Sequence, residues 1–172
     1  MKFVRNGVFE TNSSSTHSII LTERKTEPGL SVTFAIGEFG WSFEKLISTD
    51  EKASYLYTMA CENLGRDVYQ DFYEILVKYG VECECTNPPV FTKFSGESGQ
   101  YLDNGWVDHS TEGDANEFVD LMMNHEHALI KFLFSDESFV VTGNDNSYEE
   151  EREWFYKQTD VRYPHTEFYK GN

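Results

Sequence analysis

Two hydrophobic rhythms divide this chain. Near the N-terminus apolar and polar residues alternate or cluster in short β-branched runs. Ser18-Ile19-Ile20-Leu21-Thr22 predicts a strand ended by Glu27-Pro28-Gly29, and Ser31-Val32-Thr33-Phe34-Ala35-Ile36 predicts a half-buried antiparallel strand ending at Gly37. Met1 to Phe9 is a weaker candidate strand with Gly7 at a bend.

The rhythm then changes to helical spacing. Ser48-Thr49-Asp50-Glu51 fits a capping box, and Leu56, Met59, Ala60 and Leu64 recur on one helical face. Gly65 separates this helix from one predicted over Asp67 to Tyr79, with Gly80 as a left-handed stop. Val81 to Cys85 alternates and predicts a strand. Residues 86–112 are rich in Gly, Ser, Asn and Pro around Phe91, Phe94, Tyr101 and Trp106, and predict a long functional or partly ordered loop.

Asp114 to Met123 predicts a short helix, and His125 to Phe134 a buried one, apolar nearly all round. Phe139 to Val141 predicts a strand, Gly143 to Asn146 a tight turn, and Glu149 to Gln158 a final amphipathic helix. The pattern is that of one α+β domain over residues 1–172: a mostly antiparallel sheet with N-terminal strands, packed by four to five helices.

Composition supports a folded chain: 172 residues, 39% hydrophobic and 16% aromatic, suffice for a core. No apolar run approaches a membrane span, so no membrane association is expected. Three cysteines without an apolar leader fit a reducing, cytoplasmic setting.

Charge narrows the function further. The net charge is −16, which argues against sequence-independent nucleic-acid binding through a basic face. Residues 1–30 carry a net +1, so the remaining 142 hold −17. Between Lys93 and Lys131 there is no Lys or Arg, but eight acids, from Glu97 to Glu126. A phosphate is met with least repulsion at the N-terminal segment, and a basic protein groove at the 97–126 stretch.

The most unusual string is Glu10 to Ser18, in which seven of nine residues are Thr, Asn or Ser and His17 precedes a strand. Such a loop concentrates hydroxyl, amide and backbone N–H groups where an anion can be held. His17 can move a proton near neutral pH, and Arg5 can neutralise a phosphate. The same string also fits a polar turn whose hydroxyls bond their own backbone.

His125-Glu126-His127 lacks the four-residue spacing that puts two histidines on one helix face. Cys83-x-Cys85 has the wrong spacing for a zinc knuckle and predicts two core residues on one strand face. No cofactor or metal site is expected. The clustered acids suit Mg²⁺ by ligand type but not by ordered spacing.

The opening Arg5-x-Gly7-x-Phe9-Glu10-Thr11-Asn12-Ser13-Ser14-Ser15-Thr16-His17-Ser18 resembles the start of a group of small phage and prophage proteins of Gram-positive bacteria. The segment from Phe132-Leu133-Phe134 through Val141-Thr142-Gly143-Asn144-Asp145-Asn146 is similar to that group as well. The resemblance implies an anti-CRISPR protein that disables the RNA-guided nuclease of type II systems in the host cytoplasm, some such proteins damaging the guide RNA.

Two mechanisms follow. In a binding mechanism the acidic stretch around Glu97–Glu126 occupies a basic nucleic-acid groove, with Trp106, Tyr101 and Phe94 as anchors and Glu112, Asp114 and Glu117 as acidic contact residues. In a catalytic one, Arg5, Thr11, Asn12, Ser13 and Ser14 hold an RNA phosphate while Ser15, Thr16 and His17 stand at the reacting atoms. So acidic an enzyme would need the basic partner to deliver its guide RNA. A phage accessory protein without such a target is the remaining alternative.

Overall fold

The computed structural model describes residues 15–21, 31–93, 100–108, 114–144, 153–154, 157 and 167–171. Its strands are β1 (Ser15–Leu21), β2 (Ser31–Ala35), β3 (Glu38–Phe39), β4 (Glu44–Leu46), β5 (Glu82–Asn87), β6 (Phe91–Lys93), β7 (Gln100–Leu102), β8 (Trp106–Val107), β9 (Phe139–Asn144) and β10 (Glu167–Gly171). Its helices are α1 (Thr49–Leu64), α2 (Tyr69–Leu76), α3 (Asp114–Asn124) and α4 (Glu126–Phe134), and a 3₁₀ turn over Val77–Tyr79 extends α2. The class is α+β, as the sequence pattern predicts.

Local signals were legible where they are self-contained. Ser48 caps α1: its Oγ accepts from the Glu51 N–H at 3.3 Å, and Glu51 Oε2 accepts from the Ser48 N–H at 2.9 Å. Gly80 ends the 3₁₀ turn at φ 72°, in the left-handed region. His125 is the residue before α4, and Leu129, Ile130, Phe132, Leu133 and Phe134 of that helix are buried. The second helix starts two residues later than expected, at Tyr69, because Asp67 Oδ1 accepts the Tyr69 N–H at 2.8 Å instead of entering the helix.

Helix α1 departs from the one-faced expectation. Lys52, Ala53 and every residue from Tyr55 to Cys61 are buried, whereas Leu64 is exposed. The helix is central, with β2 and β8 packed on it along with α3 and α4. Burial all round demands partners for its polar side chains, and the neighbouring strand supplies them.

Asp50 Oδ1, Ser54 Oγ and Thr58 Oγ1 accept the N–H groups of Thr33, Ala35 and Gly37 at 2.8, 3.2 and 3.1 Å. One turn further on, Glu62 Oε2 accepts the Val107 N–H at 3.0 Å. The match is geometric: four residues of helix rise about 6 Å, close to the roughly 6.6 Å spanned by two residues of strand. Every fourth helix residue therefore meets every second strand N–H, and a strand edge that would be bare is closed by side chains.

The other edge of β2 pairs with β5 in a parallel register, Ser31 opposite Glu82 and Phe34 opposite Cys85. This corrects the antiparallel expectation for that strand. Alternation reports which face is buried, not which way the partner runs. Phe34 anchors the core, stacked on Phe72 at 5.8 Å and edge-on to Tyr57 at 5.6 Å.

A four-stranded antiparallel sheet has the order β10-β1-β9-β4. Val140, Val141 and Thr142 of β9 are fully buried. β9 runs through Gly143 and Asn144, where a tight turn was expected, because both pair with β1. Likewise the loop expected over residues 86–112 contains the β6–β7 hairpin and β8, which runs parallel to β3. Strands of two or three residues carry no readable period, so only their pairing reveals them.

Of the helix expected over Glu149 to Gln158, Glu153, Trp154 and Lys157 are described, and all three are helical. The candidate strand Met1–Phe9 lies outside the described residues. The buried hydrophobic residues form one connected cluster from Ile19 to Val140.

Candidate functional site

The described ends of the two segments that carry the phage-protein resemblance, Ser15–Ser18 and Val141–Asn144, pair as neighbouring strands. Ser15 is opposite Asn144, Thr16 opposite Gly143 and His17 opposite Thr142, while His17 also faces Gly171 across the β1–β10 ladder. Ser15, Thr16 and His17 are therefore strand residues within a sheet, where the sequence suggested a polar loop or turn leading into a strand. Arg5, Thr11, Asn12, Ser13 and Ser14 lie outside the described residues.

Of the expected contact residues, Trp106 is on β8, Glu117 is exposed on α3, and Asp114 is the first residue of α3. Glu112 lies outside the described residues, as does Phe94. Trp106 and Glu117 belong to different elements, both packed on α1. Glu126, at the end of the acid-rich stretch, bonds Lys78 and Tyr79.

Trp106 instead meets a residue that sequence reading had not singled out. Its ring lies 6.1 Å from that of Trp41, at an interplanar angle of 78°. Trp41 is 62% exposed, the most exposed large hydrophobic residue among those described. An edge-to-face pair of this kind makes a right-angled corner with aromatic walls.

The strands fix the corner's surroundings. Glu38 is directly opposite Trp106 in the parallel β3–β8 register, so the two side chains share a face. Val107 is 1% exposed and turned to the core, which puts Trp106 and Asp108 on the outer face. The ladder is held by Trp106 N–H to Gly37 O at 2.9 Å and Asp108 N–H to Phe39 O at 3.0 Å. On its far edge the Val107 N–H is held by Glu62.

The approach of β8 to β3 depends on Gly105. A Cβ there would sit 2.4 Å from both Gly37 O and Ile36 Cγ2, so no other residue fits without displacing a strand. The loop bearing Trp41 is pinned on both sides of the ring. Gly40 before it has φ 116°, a conformation glycine adopts without strain. Ser42 after it accepts the hydroxyl of the fully buried Thr142 through its carbonyl at 2.7 Å. Beyond it, Phe43 packs edge-on to Trp154 at 6.1 Å, and Lys45 Nζ lies 4.0 Å above the Phe139 ring.

Two polar clusters are anchored on buried side chains of α1, Lys52 and Tyr57. Lys52, 1% exposed, donates from Nζ to Ser135 O at 2.9 Å and Ser138 O at 3.0 Å. Burial lowers its pKa to about 8, partly offset by the Asp136 and Glu51 carboxylates. The Tyr57 hydroxyl donates to Asp67 Oδ1 at 2.7 Å and accepts from the Cys85 thiol at 3.8 Å. Burial raises the Cys61 thiol to about 12, so at neutral pH it is a core thiol and not a nucleophile.

Cys83 and Cys85, expected together in the core, are partly buried and packed against it. Among the described residues no group of three or more His, Cys, Asp or Glu is placed to hold a metal ion. No described helix is long and apolar enough to cross a membrane.

The chain matches no protein-family model, no curated protein and no solved structure at a significant level.

Proposed function

We propose that this chain is an acidic binding protein that inhibits a host nucleic-acid-handling complex by occupying its basic surface. The type II RNA-guided nuclease named by the phage-protein resemblance is the intended target, and the host cytoplasm the setting. The observation that carries the reading is the Trp41–Trp106 pair, held at the surface with Glu38 beside it. Exposed tryptophans on a rigid support are typical anchors of protein interfaces. The net charge of −16 supplies attraction to a basic groove and speeds encounter with it.

The test is a target-cleavage assay with a type II nuclease loaded with labelled guide RNA. Wild type, Trp41→Ala and His17→Ala are run side by side, and the guide RNA is resolved on a denaturing gel. The expected outcome is blocked cleavage with intact guide RNA, retained by His17→Ala and weakened by Trp41→Ala. Shortened guide RNA, lost in His17→Ala, would refute the binding mechanism in favour of catalysis by Ser15, Thr16 and His17. Normal target cleavage would remove that nuclease as the target.

A further inference from the structure

We infer that the Trp41–Trp106 corner is a receptor for a guanidinium group, and that it selects arginine over lysine side chains on the basic partner. The inference rests on the binding reading above and adds the chemical group that is recognised.

Three features support it. The rings meet at 78°, so a planar cation can stack against one wall while its edge reaches outward along the other. Glu38 shares the outer face with Trp106 and is exposed, which places a carboxylate beside the corner for the N–H groups of the fork. The backbone that carries the two rings is fixed by Gly40, by the Ser42–Thr142 hydrogen bond and by the close β3–β8 approach at Gly105. Less backbone ordering is then left to oppose binding.

The preference for arginine follows from solvation and shape. A guanidinium is flat and weakly hydrated, so it gives up little water when it lies on an indole face. An ammonium is compact and strongly hydrated, and gains mainly from the carboxylates. A purely electrostatic acidic face would treat the two cations alike.

The test is a tryptophan-fluorescence titration of the full chain with oligo-arginine and oligo-lysine peptides of equal length, at one fixed salt concentration. A single exposed cation–π contact predicts arginine-peptide binding about two- to five-fold tighter. Trp41→Ala, at an exposed position, should abolish that preference while leaving the lysine-peptide affinity within about two-fold. Trp41→Phe, which keeps a ring, should restore part of it, and Glu38→Gln should weaken both peptides.

Equal affinity of wild type for the two peptides overturns the inference, as does an arginine preference that survives Trp41→Ala. An unchanged affinity in Glu38→Gln overturns the part assigned to that carboxylate. If neither peptide binds, the binding reading itself fails.

Discussion

Lys52 provides the sharpest test of the packing. It sits in α1 at 1% exposure with its ammonium bonded to the Ser135 and Ser138 carbonyls. Lowering its pKa from 10.5 to about 8 corresponds to about 3 kcal/mol of disfavoured charging in the folded state. That value is an upper bound, because the two carbonyl dipoles favour the charged form. Lys52→Met removes the charging cost but leaves Ser138 O without this donor, at about 1–3 kcal/mol. The two effects oppose each other, so stability at pH 7 alone decides nothing.

The pH dependence does decide. Between the lowered folded value and the unfolded value, the unfolded chain holds more protons on Lys52, so stability rises with pH. The contribution is fully present above about pH 10.5 and is lost as pH falls through about 8. Urea unfolding of wild type and Lys52→Met, followed by circular dichroism at pH 7, 9 and 10, isolates it. Wild type should gain on the variant by about 1 kcal/mol from pH 7 to 9 and by about 2 kcal/mol by pH 10. A pH-independent difference between the two proteins would refute the burial of a charged Lys52.

Other predictions test the supports of the fold and the tryptophan corner. Thr58→Val keeps the shape but leaves the Gly37 N–H without its acceptor, and should cost about 1–3 kcal/mol in urea unfolding. Ser48→Ala should cost about 1 kcal/mol by opening the capping box. Burial raises the Glu51 pKa, but hydrogen bonds from the Ser48 hydroxyl and the Ser48 and Ile47 N–H groups bring it net below its usual 4.5. The Glu51 contribution is therefore present above pH 4.5 and lost as pH falls through the lowered value, which an acid titration of Tm would show.

Gly105→Ala should destabilise the chain by about 2 kcal/mol or more, and should change the Trp41–Trp106 fluorescence as β8 shifts away from β3. Asn63 has both buried amide atoms without a hydrogen-bond partner among the described residues, so Asn63→Leu should raise Tm, by an amount equivalent to about 1 kcal/mol.

The parts of this protein legible in its sequence are those whose physics is local. A capping box is completed within four residues, so Ser48 and Glu51 announced the start of α1. Gly80 marked a stop because the left-handed region is open to glycine wherever the chain reaches it. The nearly all-round apolarity read over His125 to Phe134 foretold a buried α4.

Other features were written in the sequence but had no visible meaning there. Asp50, Ser54, Thr58 and Glu62 recur every fourth residue, which by itself looks like a solvated helix face. Only the lie of β2 and β8 along α1 turns that stripe into acceptors for strand N–H groups. Lys52 similarly reads as an ordinary helix-surface lysine until α4 and β9 bring Ser135 and Ser138 over it.

The candidate site lies almost wholly on that second side. Trp106 stood out by residue type, but Trp41 and Glu38 joined it only through the pairing of two two-residue strands. The pairing of Thr16 with Gly143, and the parallel run of β2 beside β5, were equally hidden. The sequence alone determined the α+β class, the capped starts and glycine stops of its helices, and the acidic character of the chain. Tertiary structure decided strand direction, the burial of polar groups and the corner of tryptophans. Those depend on which distant segments meet, and a hydrophobic period records only that a face is covered, not what covers it.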